Sequence, residues 1–540
     1  MAASSKLRYA RFPTYENRHL FGSGLGLYSQ IVYVLFMSLK KNTIANYLGQ
    51  GWTALMGLSF IPVYIHYLGM EAWGLVGFMS MLQAWFTLLD MGLTPTLSRE
   101  MARFQAGAHS AQSIRDLLRS LEVIYGGVAA AVAGVVWFGA PWVAGHWLNA
   151  TELSAASVTQ AIGMMGLVLA ARMVEQVYRG AIQGLQRQVW LNGAQSALAT
   201  LRWGGAVGVL AWVDSSIEAF FWWQGFISLL GVATLARQTY HWLPPGERRS
   251  RFELAALVRI RRFAGGMAAT TLLALLLTQV DKLLLSKLVS LEEFGYYVLA
   301  ASVAGALYFL VTPVSSAVAP RLTELAARSE QQALIDTYHR ASQWLAAVLV
   351  PAALMMAAFA EPLLYAWTGN VDLANRTAPL LVLLALGTLC NGLMYVPYMA
   401  QLAHGWTGFA VRVNLVAVGF IVPAILWAAP RFGAIGAAWV WLALNAGYVL
   451  VGMHFMHRRL LPGEKWRWYR DAVFKPLATG SIALLMVRHW VALPHNRVAL
   501  ACALAGIALA AAALVLWAVP ASRIFLRRQF KTLRGHALNG

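Results

Sequence analysis

The sequence has few charged residues and almost no cysteine. Only 12% of its 540 residues are Asp, Glu, Lys or Arg, while 59% are hydrophobic. A single soluble core could not hide that much apolar surface, so the composition is typical of a polytopic membrane protein. The two cysteines, Cys390 and Cys502, lie in apolar segments, where a lone cysteine behaves as a small hydrophobic residue. A disulfide framework and a cysteine-based metal site are therefore excluded.

Motifs for energy coupling and group transfer are also missing. The chain contains no GxxxxGK(S/T) loop for ATP, no HExxH pair and no Cys/His cluster, so we expect neither a cofactor nor a metal. It also lacks a long acidic loop that could hold a sugar nucleotide and its metal, which an integral-membrane glycosyltransferase would need. The sequence thus argues against an enzyme, and an ion gradient or substrate flow would supply the energy for transport.

Long apolar segments recur from one end of the chain to the other. Each window of about 20 residues is long enough to cross the hydrocarbon layer as an α-helix. The alternation typical of outer-membrane β-barrels is absent. We therefore predict an all-α membrane protein with about fourteen transmembrane helices. The predicted spans are 44–66, 72–96, 119–140, 161–183, 189–212, 217–236, 263–288, 294–319, 341–364, 377–400, 408–429, 433–456, 474–493 and 498–519.

Basic residues cluster in alternate connections between these spans. The connection at 237–262 is rich in arginine, whereas the connections at 147–157 and 213–220 carry no Lys or Arg. The basic side is predicted to be cytoplasmic, which places both ends of the chain inside the cell. The net charge of +20 follows this bias and lies beside anionic lipid, so we expect no nucleic-acid partner.

Two parts of the chain resemble each other. GMEAWGLVGF, which begins at Gly69, aligns with SLEEFGYYVL, which begins at Ser290. TLSREMAR and RLTELAAR, further along each copy, align after a short insertion. Each copy is the outer turn and second helix of its half, so the repeat predicts two pseudo-symmetric six-helix lobes. The predicted parts are an N-terminal extension at 1–36, lobes at 37–240 and 260–457, two helices in 474–519 and a basic cytoplasmic tail at 520–540.

The extension at 1–36 does not fit the pattern of spans, because its apolar stretch has basic residues on both sides. Two interpretations stay open for it. It forms an interfacial helix, or the native chain starts at Met37, whose MSLKKN would then be a short basic tail before the first span.

Polar side chains form stripes along several predicted helices. At 100° per residue, Arg172, Glu175, Gln176, Arg179 and Gln183 share one face of the fourth helix. Lipid cannot solvate such a stripe, so the stripes must face one another or a water-filled cavity. For any single residue, a structural ion pair such as Glu175 with Arg172 or Arg179 is the alternative. The other stripes contribute Asn46, Gln50, Gln83, Asp90, Asn192, Gln195, Asp281 and Lys282.

Cations outnumber anions in these stripes. A cavity with this excess attracts an anion, and guanidinium groups suit phosphate oxygens because they can hold two at once. The carboxylates are instead candidates for a coupling ion. The predicted cationic lining is Arg172, Arg179, Arg202, Lys282 and Arg412. The predicted coupling residues are Asp90, Glu175 and Asp281.

Three segments carry a family resemblance. NTIANYLGQGWTALMGLSFIPVYIHYLGMEAWGLVGF, QAWFTLLDMGLTPTLSREMARF and DKLLLSKLVSLEEFGYYVLA closely resemble the O-antigen type of polysaccharide-unit flippase. This type belongs to the multidrug/oligosaccharidyl-lipid/polysaccharide exporter superfamily. The resemblance runs from Met37 to about residue 460. The last two helices match only in hydropathy.

The resemblance implies a V-shaped pair of six-helix lobes, two trailing helices and a location in the bacterial inner membrane. It implies that undecaprenyl-diphosphate-linked oligosaccharide is flipped to the periplasmic leaflet for O-antigen or other surface polysaccharide assembly. Ion-coupled alternating access, driven by H⁺ or Na⁺, would move this substrate. Lys282 would help to hold the diphosphate, and Asp281 would balance that charge or carry the ion. Membrane lipids, a polysaccharide polymerase and chain-length proteins are the implied partners.

Two members of the same superfamily remain alternatives at this stage. A cation-coupled drug exporter should have a more acidic cavity, to accept cationic drugs. A murein-precursor flippase shares the cationic cavity and the fourteen-helix plan.

Overall fold

The computed structural model describes residues 44–90, 92–253, 272–521 and 523. The extension at 1–36 and nearly all of the tail at 520–540 lie outside these residues. The described part is helical and contains no strand, which confirms the predicted all-α fold. The helices are α1 (44–59), α2 (Ile61–Phe86), α3 (Leu93–Gln105), α4 (Ala111–Trp142), α5 (Ala155–Gly184), α6 (Gln188–Trp212), α7 (Ile217–Trp242), α8 (272–288), α9 (Leu291–Gly305), α10 (Tyr308–Ala327), α11 (Gln331–Ala358), α12 (Ala360–Thr368), α13 (Val371–Leu393), α14 (Tyr395–Ala403), α15 (Thr407–Gly447), α16 (Met453–Leu460), α17 (Lys465–Trp468), α18 (Lys475–Trp490) and α19 (Arg497–Ala518).

Several helices begin where the sequence supplies a cap. Ser110, Ser154, Ser216 and Ser290 directly precede α4, α5, α7 and α9, and each hydroxyl accepts the backbone N–H three residues further on. Such a cap satisfies an N–H group that the first helical turn leaves without a partner.

Nine helical segments of the described residues are long and apolar enough to cross a membrane. Two helices contain a sharp break, because Gly69 in α2 and Gly433 in α15 have φ angles of 83° and 63°. Glycine adopts this conformation without the strain that a Cβ would add. The predicted boundaries between the first and second spans, and between the eleventh and twelfth, fall at these two residues. The helices are therefore consistent with the predicted spans, although 263–271 lies outside the described residues.

Each half of the chain packs around one central helix. In the first half α5 contacts α3, α4 and α7, and in the second half α13 contacts α9, α11 and α15. Helices α18 and α19 pack on α11. A continuous buried apolar cluster contains residues of both halves, Trp73 and Phe294 among them. The division into lobes at 37–240 and 260–457 stays a prediction.

The two repeated segments contact each other through matched glycines. A Cβ on Gly74 would lie 2.3 Å from the backbone oxygen of Leu291, and one on Gly295 would lie 2.5 Å from that of Met70. The repeat aligns Gly74 with Gly295 and Met70 with Leu291, so the contact is reciprocal. The missing side chains let α2 and α9 approach closely, as small residues do between membrane helices.

The connections after α4 and α8 join at one end of the molecule. Asn149 donates its side-chain amide to the backbone oxygens of Lys287 at 3.0 Å and Val289 at 3.3 Å. The Leu291 N–H donates to the Asn149 oxygen at 2.9 Å. The buried carboxylate of Glu71 accepts three backbone N–H groups of the same turn. Since both connections are outer ones in the predicted orientation, the two halves are in contact on the predicted periplasmic side.

Candidate functional site

A pocket of about 290 Å³ lies between the end of α2 and helices α3, α4 and α5. Its lining combines two of the predicted polar stripes, which come from different helices. We call it the charged pocket. Its polar lining consists of Gln83, Thr87, Asp90, Thr94, Tyr125, Arg172 and Gln176.

Asp90 lies at a break between α2 and α3. The chain forms a 3₁₀ turn at Thr87–Asp90, and Gly92 then takes a φ of 73° before α3 begins. The Asp90 carboxylate accepts the hydroxyls of Thr94 and Tyr125, and also the Thr94 N–H at 3.3 Å. The break thus brings a carboxylate, held by two hydroxyl groups, to the wall of the charged pocket.

Arg172 links three helices at this pocket. Its guanidinium donates to the side-chain oxygen of Gln83 in α2 and to that of Gln224 in α7, the latter at 3.1 Å. Its Nε is buried without a partner among the described residues. Because both acceptors are neutral, these hydrogen bonds hold the guanidinium in place without cancelling its charge.

Glu175 lies one turn further along α5 and is surrounded by arginines. Its buried carboxylate accepts the Gln195 amide at 2.9 Å and forms an ion pair with Arg202 of α6 at 3.7 Å. Arg202 is within electrostatic range of both Arg172 and Arg179. Arg172 and Arg202 are thus both within electrostatic range of Glu175, and Arg179 is within range of Arg202. The ion pair of Glu175 is made with the neighbouring helix rather than within α5, which was the alternative considered from the sequence.

The remaining predicted residues of the first half lie in different surroundings. Asn192 of α6 donates to Asn46 of α1 at 2.6 Å, so these amides join two helices. Gln50 and Gln183 are exposed and do not line the charged pocket.

Asp281 and Lys282 lie in the second half, on α8. One Asp281 oxygen accepts the Tyr297 hydroxyl at 2.6 Å, and the other is buried without a partner among the described residues. The Lys282 ammonium lies 3.6 Å from the Asp281 carboxylate and donates to the Thr278 backbone oxygen at 3.2 Å. The carboxylate therefore keeps one oxygen that could take a proton or a cation.

A second pocket, of about 300 Å³, lies between α8, α13, α14 and α15. Its polar groups are neutral. The Asn391 side chain donates to Asn445 at 2.8 Å and accepts the Tyr308 hydroxyl at 2.9 Å, and Gln401 and Asn414 also line the wall. We call it the amide pocket. Sequence reasoning missed it, because lone amides do not stand out when charges are compared.

Arg412 lies in neither pocket. It is exposed and lines an apolar groove of about 580 Å³ along α15. Sequence reasoning also missed three residues that hold the predicted charges, namely Tyr125, Gln224 and Tyr297. Each lies in an apolar segment and belongs to no polar stripe. Among the described residues, no three His, Cys, Asp or Glu side chains come together as metal ligands.

Two family models match the chain. The model described as polysaccharide biosynthesis protein matches residues 39–326, which is more than half of the chain, and the MatE model matches residues 267–427. A Shigella flexneri protein described as an O-antigen transporter is 18% identical over 405 residues. That alignment covers 75% of this chain and 94% of the Shigella protein.

Solved structures share the fold. The lipid II flippase MurJ in an inward closed conformation has a TM-score of 0.68 at 12% identity, covering 91% of this chain and 99% of that one. The MATE multidrug transporter DinF-BH has a TM-score of 0.55 at 13% identity. The match covers 78% of this chain and 95% of the DinF-BH chain. These proteins are flippases and transporters rather than enzymes.

Proposed function

This chain belongs to the family of polysaccharide biosynthesis proteins, and from that premise we propose that it flips undecaprenyl-diphosphate-linked oligosaccharide units across the bacterial inner membrane. It is an integral membrane protein of the multidrug/oligosaccharidyl-lipid/polysaccharide superfamily. The units would serve O-antigen or other surface polysaccharide assembly. Both termini would lie in the cytoplasm, and a polymerase and chain-length proteins would act on the product.

The arginine cluster at the charged pocket is the observation that carries the proposal. Arg172 is held by neutral amides, and Arg202 shares Glu175 with its neighbours, so positive charge remains. Burying such charge is costly unless an anion compensates it. A diphosphate supplies that anion, and guanidinium groups bind its oxygens with two parallel hydrogen bonds. A cationic drug would be repelled.

We further propose that the two halves alternate between two states around this pocket. One state is closed on the outer side, and the other is closed on the inner side. The contact of Asn149 with the turn after α8 supports closure on the outer side in the described state. Opening would require these hydrogen bonds to break. The fold that the chain shares with MurJ, a flippase, agrees with such a cycle.

Of the three coupling candidates, we favour Asp281. Asp90 accepts hydrogen bonds from two hydroxyls, and Glu175 has an arginine and an amide as partners. Asp281 alone among these three keeps a buried oxygen without a partner. A buried carboxylate in this state gains most from binding a proton or Na⁺.

Translocation in liposomes tests the proposal. The protein is reconstituted with a fluorescent undecaprenyl-diphosphate-linked oligosaccharide, and the leaflet of the label is followed by quenching. Arg172→Met should slow translocation strongly. Arg328→Gln, which removes a charge that is 61% exposed and pairs with surface glutamates, should have no effect.

A drug exporter is the second candidate, because the MatE model matches residues 267–427. A cationic rhodamine dye is therefore tested in the same liposomes. Uptake of the dye without movement of the lipid would overturn the proposal in favour of drug export. Faster movement of the lipid-linked murein precursor than of the oligosaccharide lipid would favour a murein-precursor flippase.

A further inference from the structure

An apolar groove runs along the outside of the second half. It lies between the two parts of α15 that meet at Gly433, and it has a volume of about 580 Å³. Phe409, Val416 and Phe420 form one side, and Gly447, Val451 and Phe455 form the other. Most of these side chains are exposed, so the groove faces lipid.

The groove is continuous with the amide pocket. Phe409, Val413, Leu444, Tyr448 and Gly452 line both. In this shared wall the Tyr448 hydroxyl is buried and has no hydrogen-bond partner among the described residues. A buried hydroxyl without a partner costs roughly 1–3 kcal/mol. The wall between groove and pocket therefore has a donor that a bound ligand would satisfy.

Cationic and aromatic groups mark one end of the groove. Arg412 lies one turn beyond Phe409 and forms no ion pair among the described residues. Phe409 stacks on Trp406 with ring centroids 4.3 Å apart, and the Arg459 guanidinium lies 4.6 Å above the Trp406 ring. Basic and aromatic side chains together are typical of the boundary between headgroups and hydrocarbon. This end thus suits an anionic group whose tail continues into the groove.

We propose that this groove holds the diphosphate-proximal part of the isoprenoid tail while the sugar unit contacts the amide pocket. The inference rests on the proposed function. A long polyprenyl tail does not fit into either pocket, and it gains nothing by leaving hydrocarbon, so it must pass through an opening to lipid. The groove supplies such an opening beside a neutral polar pocket, and Arg412 lies where the diphosphate would join the two before it passes to the arginines of the charged pocket.

A matched pair of substitutions tests the groove. A Cβ on Gly447 would meet nothing within 4 Å, and the same holds for Gly419 on the same helix, which does not line the groove. Gly447→Trp should fill the groove, whereas Gly419→Trp adds the same ring elsewhere. Binding is measured in nanodiscs with undecaprenyl-diphosphate-linked N-acetylglucosamine and with the methyl-diphosphate analogue, which has no isoprenoid tail to place in the groove.

Gly447→Trp should weaken binding of the undecaprenyl probe about tenfold or more and leave the methyl probe unchanged, while Gly419→Trp should affect neither. The milder Gly447→Leu should act in the same direction if the Trp variant folds poorly. Tyr448→Phe should weaken both probes, because its hydroxyl faces the headgroup.

Three results would overturn the groove proposal. They are wild-type binding of the undecaprenyl probe by both Gly447 variants, equal losses for the two probes, and displacement of the probe by ordinary phospholipid acyl chains. The proposed function fails separately, when the wild-type protein binds neither diphosphate probe above the level of undecaprenol.

Discussion

The charged pocket and the amide pocket lie in different halves of the molecule and offer a ligand different chemistry. The first lies between α2, α3, α4 and α5 and is lined by Arg172, beside the arginines around Glu175. The second is built on α13 and α15 and contains neutral amides, with Asn391 and Asn445 in direct contact. In the predicted repeat α5 corresponds to α13, whereas the other walls of the two pockets come from helices that do not correspond. Each half therefore places a polar pocket against its central helix but builds it with different neighbours.

This difference matches the two ends of the proposed substrate. A diphosphate needs cations, which the charged pocket supplies, and sugar hydroxyls need neutral donors and acceptors, which the amide pocket supplies. Charged residues in the second half do not line its pocket in the same way. Arg412 lies in the groove, and Asp281 is held by Tyr297. We infer that the two halves divide recognition between anion and sugar.

The largest effect is expected from locking the two halves together, because both pockets must act on one molecule in turn. Asn149 and Ser290 form a backbone bridge, which places their Cα atoms about 5 Å apart, within the range of a disulfide. Asn149→Cys with Ser290→Cys, in a chain with Cys390 and Cys502 replaced by Ala, should cross-link and stop lipid translocation completely. Dithiothreitol should restore it.

Each single-cysteine variant serves as the control for the lock, and its transport rate should not respond to dithiothreitol. Undiminished translocation by the cross-linked protein would mean that the outer contact does not open during transport. The two pockets would then lie along a pathway that does not change shape during transport.

The second effect distinguishes a structural role from a substrate-binding role for the charged residues beside the charged pocket. Arg202→Met leaves the buried Glu175 without its ion-pair partner, which should lower stability by about 3 kcal/mol and, in a chain of this length, the Tm by roughly 3 °C. Adding Glu175→Gln should restore part of the Tm, because the buried carboxylate is then neutral while Arg172 and Arg179 keep their charge. Thermal unfolding followed by size-exclusion chromatography measures both. An unchanged Tm in Arg202→Met would show that the 3.7 Å pair is screened by water.

The helical periodicity of the sequence predicted part of the charged pocket. It did not predict which residues of other helices contact these side chains. The 100° spacing along α5 placed Arg172 and Gln176 on one face, and both line the charged pocket. Such spacing carries no information on contacts between helices distant in sequence. The partner of Glu175 therefore turned out to be Arg202 of α6, and Gln224 of α7 was not foreseen.

The fold was easier to predict than the site. Hydropathy alone indicated an all-α membrane protein, because hydrocarbon forces each span to satisfy its own backbone. The amide pocket could not be found in this way, since Asn391 and Asn445 lie singly in apolar helices and acquire a role only when those helices pack. The Gly69 and Gly433 breaks fall at predicted span boundaries, but their positive φ angles are visible only in the folded chain.

The third effect tests whether the arginines beside the charged pocket recognise the diphosphate. Arg179 has no carboxylate partner among the described residues, so Arg179→Met should leave the Tm unchanged. It should slow lipid translocation up to about 100-fold, since a hydrogen bond to a charged group contributes roughly 1.5–3 kcal/mol. Arg179→Lys should recover part of the rate, because it keeps the charge and loses the planar fork. A lower Tm that Glu175→Gln repairs would instead make Arg179 a structural partner.

The smallest effect is expected in the amide pocket, where no charge is lost. Asn391→Leu removes the acceptor for Tyr308 and the donor to Asn445, and it leaves the arginines untouched. Translocation of the oligosaccharide lipid should fall about tenfold, as the loss of one or two neutral hydrogen bonds predicts. Binding of undecaprenyl diphosphate without sugar should stay at the wild-type level, because that lipid has no sugar to contact the amides. Tyr308→Phe removes one of the same hydrogen bonds without altering the amide, so it should fall between Asn391→Leu and the wild type. Equal losses for the sugar-linked and sugar-free lipids would remove the distinction between the pockets, since Asn391 would then act on the diphosphate or on the fold.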